Sequence, residues 1–151
     1  MPTIRFNIRG AEDAIRNLQV LGDQMPPALG RALYRFAEID IAAVSKRDYV
    51  PVITGALRSS IHVEAPIVER SSVTVYVSAG GAAAKYGRKV HENPRSGRTG
   101  GLSPSGRRYK RWSRVGEWKF IETPARLAAA DGSGFAREAG AELEAVIRGL
   151  R

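Results

Sequence analysis

Val50-Pro51-Val52-Ile53-Thr54-Gly55-Ala56-Leu57-Arg58-Ser59-Ser60-Ile61 is the point where a long helical pattern stops and an alternating one starts. Pro51 has no amide hydrogen to continue a helix and biases Val50 toward extended backbone. Thr54 and Gly55 then supply a hydroxyl cap and a permissive backbone in successive positions. Leu57 is the apolar residue placed to anchor such a corner in a core. Pro51, Thr54, Gly55 and Leu57 are therefore the candidate structural corner, and none of them is chemically reactive.

Upstream, Ile4, Phe6 and Ile8 alternate with polar residues, so residues 3–9 read as a half-buried strand ended by Gly10. Ala11, Ile15, Leu18 and Leu21 change to helical spacing. Gly22, Asp23 and the pair Pro26-Pro27 predict a break there. A second helix is expected over residues 27–48, with Leu29, Ala32, Leu33, Phe36, Ile39 and Ala43 on its buried stripe and Arg31, Arg35, Glu38 and Lys46 largely off it.

Downstream, residues 59–69 and 72–79 predict an antiparallel hairpin in which Val73, Val75 and Val77 alternate inward. Pro66 lacks a ladder donor, which predicts an edge or a bulge at that point. Gly80 to Ala84 read as an exit, and residues 86–93 as a turn with a brief strand. Thr123-Pro124 predicts a helix start with threonine as cap. Asp131-Gly132-Ser133-Gly134 interrupts that helix. Phe135, Ala139, Leu143, Val146 and Leu150 then space a final amphipathic one.

These patterns give one α+β domain over residues 1–151: a small antiparallel sheet of three or four strands packed against a long helix and a C-terminal helix, with a long basic loop at about 80–118. No apolar run approaches the ~20 residues of a membrane span. The first five residues lack the apolar stretch of a secretion signal. Without cysteine there is no disulfide, thiolate nucleophile or cysteine metal site.

The net charge is +9, and it is local. Residues 85–119 hold eleven Lys/Arg against Glu92 and Glu117, while the rest of the chain balances thirteen of each sign. Residues 95–113 combine glycine, serine and arginine, a composition that buries too little apolar surface to order alone and predicts ordering on a partner. Arg95, Arg98, Arg107, Arg108, Lys110 and Arg111 are the candidate contact cations, with Tyr109 and Trp112 as anchors.

Catalytic chemistry is sparse. His62 and His91 are the only histidines. His91-Glu92 on a strand would point to opposite faces, which argues against a base with its orienting carboxylate. No phosphate loop or histidine metal spacing is present. The reading is a non-enzyme with no cofactor and no metal.

Three segments together resemble the neck or tail-completion family of long-tailed bacteriophages (head–tail joining, minor tail protein Z-like). They are the proline followed by Thr54-Gly55-Ala56-Leu57-Arg58-Ser59-Ser60-Ile61, then Tyr86-Gly87-Arg88-Lys89-Val90-His91-Glu92-Asn93, and Trp118-Lys119-Phe120-Ile121-Glu122-Thr123-Pro124. The chain departs from the family pattern at Gly87, usually alanine, and in the long insert between Pro94 and Trp118. The resemblance implies a structural virion protein at the head–tail junction, made in the host bacterial cytoplasm. Its partners would be further copies of itself in a ring, the head-completion (stopper) protein and the tail-terminator or tail-tube proteins, close to packaged DNA and away from membrane. The alternative, from the basic residues interleaved with aromatics, is a small DNA- or RNA-binding protein.

Overall fold

The computed structural model describes residues 11–52, 55–69, 72–93, 116 and 118–150. The fold is α+β, as the patterning predicts. It begins with α1, Ala11–Phe36, a 26-residue helix that runs through Pro26 and Pro27. The expected break is absent. Gly22 and Asp23, whose carbonyls the prolines cannot bond, are exposed, so water can take those acceptors. Packing outweighs the lost bonds: Ala28 and Ala32 are fully buried immediately after the prolines.

Beyond Phe36 the same helix widens its ladder to i→i+5 bonds over Ala37–Ala43 and again over Ser45–Tyr49. Wider turns rotate the buried face away from the 3.6-residue stripe. Ala37, Ala42 and Ser45 go inside, whereas Ile39 is 50% exposed and Ala43 lies outside, contrary to the periodicity. Val50 leaves the helix in extended conformation and is itself fully buried.

A one-and-a-half-turn helix, α2 (Ala56–Ser60), occupies the start of the expected first strand. The hairpin follows as β1 (Ile61–Val63), β2 (Ile67–Val68), β3 (Val73–Thr74) and β4 (Val77–Ala79), with β1 antiparallel to β4 and β2 to β3. The register passes from Val63↔Val77 to Ile67↔Thr74, so the first strand carries one extra residue around Ala65-Pro66. This is the bulge that Pro66 predicts, and it exchanges the inward set. Ile61 and Val63 face the core before it; Pro66 and Val68 lie against Gly30 of α1 after it. Val75 is half-buried. Residues 3–9, the other expected strand, lie outside the described residues.

A short 3-10 turn, Gly81–Ala83, leads into α3 (Ala84–His91), where a turn and strand were expected. Valine at 90 fits either pattern, and the helix buries it in the core beside Ala83 of the preceding turn. The C-terminal pair is α4 (Glu122–Asp131) and α5 (Ser133–Gly149), divided at left-handed Gly132 as predicted. α4 starts at Glu122 without a side-chain cap, so Thr123 lies within the first turn and does not cap it.

α5 runs antiparallel to α1. Phe36 meets Phe135 edge-on at 6.0 Å between centroids, and Arg31 donates to the buried Glu142 at 2.7 Å. Glu138 and Glu142 are more buried than most of the apolar residues of the expected stripe, of which only Val146 is fully inside. The main core lies between the π-wound segment, the hairpin and α3. It comprises Ala42, Val50, Leu57, Ile61, Ala83, Val90 and Phe120.

Candidate interface at the base of the basic segment

Of the four expected corner residues, Pro51, Gly55 and Leu57 are described. Gly55 has φ +82°, the left-handed backbone at which a side chain is strained, and its carbonyl accepts the Ser59 amide at 2.9 Å. Leu57, 5% exposed, seals the turn from below. Pro51 is buried under Gly116, whose φ is +106°. A Cβ at Gly116 would sit 2.4 Å from the Pro51 nitrogen, so only glycine permits this approach. Thr54 lies outside the described residues.

α3 lays its apolar side on this corner. Gly87 brings its backbone close enough that a Cβ would lie 3.3 Å from Leu57 Cδ1. Lys85, Arg88 and Lys89 project outward, and Val90 is buried. The helix ends at His91, whose ring packs edge-on against Phe120 at 4.9 Å. Nδ1 of His91 lies 2.8 Å from Glu92 Oε1, and because an ionised carboxylate only accepts, the ring nitrogen is the donor. Sequence reasoning placed this pair on opposite faces of a strand; at a helix end the two neighbours meet.

The return strand of chain is clamped at the same place. The Lys119 amide donates to the His91 carbonyl at 2.8 Å, and Lys119 has a left-handed φ of +59°. Its Nζ bridges Glu92 at 3.0 Å and Glu122 at 2.6 Å. The Glu122 and then Glu92 carboxylates hold the Lys119 ammonium above the ordinary lysine range. Glu92 is held below the ordinary glutamate range, first by the His91 hydrogen bond and then by Lys119. Ser45, fully buried, donates to the Phe120 carbonyl at 2.6 Å and ties this junction to the long helix. Trp118 is 40% exposed beside it.

The described residues on either side of the basic segment are thus joined through His91 and Lys119. The candidate contact residues Arg95, Arg98, Arg107, Arg108, Tyr109, Lys110, Arg111 and Trp112 all belong to the intervening segment and lie outside the described residues. The clasp that frames them, Lys119 with Glu92 and Glu122, was not singled out from sequence. Its signal was Lys119-Phe120 within a motif otherwise read for its helix start.

An apolar groove of about 360 Å³ lies alongside, lined by Val77, Ala79, Gly87, Phe120 and Ile121, with Arg88, His91 and Glu122 at its rim. Among the described residues no three His, Asp or Glu are placed to hold a metal ion, and no helix is long and apolar enough to cross a membrane. No protein-family model, curated protein or solved structure matches the chain.

Proposed function

We propose that this protein is a non-enzymatic structural subunit of a long-tailed bacteriophage, forming a ring at the head–tail junction. One observation supports this reading above the others. The three segments that resemble the neck family are far apart in sequence yet meet around a single core, through Leu57 of the corner, Val90 and His91 of α3, and Phe120. Residues chosen for their likeness to one family therefore form one physical unit. That unit frames the ends of the segment holding nearly all the excess charge.

In this role the body supplies a rigid base and the basic segment supplies charge complementarity to a neighbouring subunit or an acidic head or tail protein. Negative-stain imaging of the purified protein, alone and mixed with tails, tests it: rings, or density at the tail end, are expected. Monomers that never associate with tails overturn it. The second reading, DNA or RNA binding, is supported by Tyr109 and Trp112 among arginines, and a gel shift with duplex DNA that weakens steeply with salt is its signature.

A further inference from the structure

Among the described residues the outer edge of β4 pairs with no further strand, and that edge opens on the groove just described. Gly80 donates to the Ser60 carbonyl at 3.3 Å and Glu64 to the Tyr76 carbonyl at 2.8 Å. In an antiparallel ladder the bonded pairs alternate, so Val77 and Ala79 turn their amides and carbonyls away from β1. Both residues line the groove, whose floor is Phe120 and Ile121. A free strand edge beside an apolar floor is the geometry that an added extended segment completes.

We infer that this edge takes residues 3–9 of a second copy of the chain as an added β-strand. The pattern fits: Ile4, Phe6 and Ile8 on one side would cover the half-buried Val77, Ala79 and Ile121. Arg5 and Arg9 on the other would lie on the outer face of the hairpin, which carries Glu64, hydrogen-bonded by Ser78, and the exposed Tyr76.

Reach decides that the strand comes from another copy. β4 packs beside the π-wound segment beyond Phe36, while α1 itself packs on β2 and β3. The 26 residues of α1 place Ala11 about 39 Å from that level at ~1.5 Å per residue. Seven fully extended residues from Ala11 back to Ile4 span about 24 Å. A chain cannot fill its own groove. A donor at one end and an acceptor at the other make a head-to-tail contact, which closes into a ring when the rotation per subunit permits. The inference rests on the ring reading for that closure, but names the contact itself.

The test uses complementary variants followed by light scattering after gel filtration. Ala79→Pro removes the outward amide without touching the bonds to β1, which residues 76, 78 and 80 make; Val77→Pro is the second acceptor variant. Phe6→Asp spoils the donor and leaves the groove intact. The parent should assemble beyond dimers, each variant should remain a folded monomer, and an equal mixture of Ala79→Pro with Phe6→Asp should form dimers and stop there. Assembly of either folded variant like the parent, a monomeric mixture, or a monomeric parent overturns the inference. Rings that persist in all variants remove this contact and leave the neck reading. Assembly through this contact without any association with tails keeps the contact and removes the neck reading.

Discussion

Gly116 shows how much one missing side chain decides. Its left-handed backbone, and the clash that a Cβ there would make with the Pro51 backbone, mean that Gly116→Ala must move the corner as well as strain itself. Strain of this kind costs about 1–3 kcal/mol before any clash, so thermal unfolding should begin several degrees lower. Gly22→Ala is the control: it sits in α1 with nothing near its Cβ position and should stabilise by roughly 0.5–1 kcal/mol. The Lys119 clasp makes a separate prediction in pH. Glu92 is depressed, so its contribution is present above the unfolded glutamate value and lost as pH falls through the folded one. Lys119 is raised, so its share is complete below the unfolded lysine value and lost as pH rises through the folded one. Lys119→Met should therefore remove the alkaline limb and weaken the acid one, which the His91 hydrogen bond to Glu92 still sustains, read by chemical denaturation at a series of pH values. Both groups are solvent-accessible, so the effect is small.

At the scale of elements, the long helix divides what was legible from what was not. Its 3.6-residue stripe correctly put Phe36 inside, and Phe36→Ala should cost about 3–5 kcal/mol because the ring fills the contact with Phe135. The same stripe misplaced Ile39 and Ala43, since side-chain spacing reveals a face only when the turn is known. Ile39→Ser should be nearly neutral and Ala42→Leu destabilising by roughly 1–3 kcal/mol, the reverse of what α winding would give. Urea unfolding of the two variants checks this. Gly55, Leu57, the Pro66 bulge and the Gly132 break were all readable, because each rests on a local backbone constraint. Continuity through Pro26-Pro27, the helical α3 and the burial of Glu138 and Glu142 were not, because tertiary contacts made from distant segments decide them. Of the candidate site, Gly55 and Leu57 were legible and the clasp was not: Glu92, Lys119 and Glu122 acquire a common role only when residues 91 and 119 meet.

For the whole molecule, charge is unevenly placed: residues 94–115, between the two clamped ends, hold seven Lys/Arg and no acidic residue, and the rest of the chain carries only the remaining +2. Deleting residues 97–110 should leave the melting temperature of the body within a few degrees of the parent. The same deletion should lower the yield of heads joined to tails in an assembly assay. Normal joining with lost DNA retention would favour nucleic acid as the partner.

The hydrogen bond from Lys119 to the carbonyl of His91 also says something about how this chain tolerates change. Two points of the backbone are held within bonding distance whatever lies between them. For a chain closed at its ends, each doubling of length costs only about 0.6 kcal/mol. A change in the number of residues between His91 and Lys119 should therefore cost the closure itself little, as a socket is indifferent to the length of its cable. A single proteolytic cut there would leave two pieces still held together by the shared core of Leu57, Val90 and Phe120.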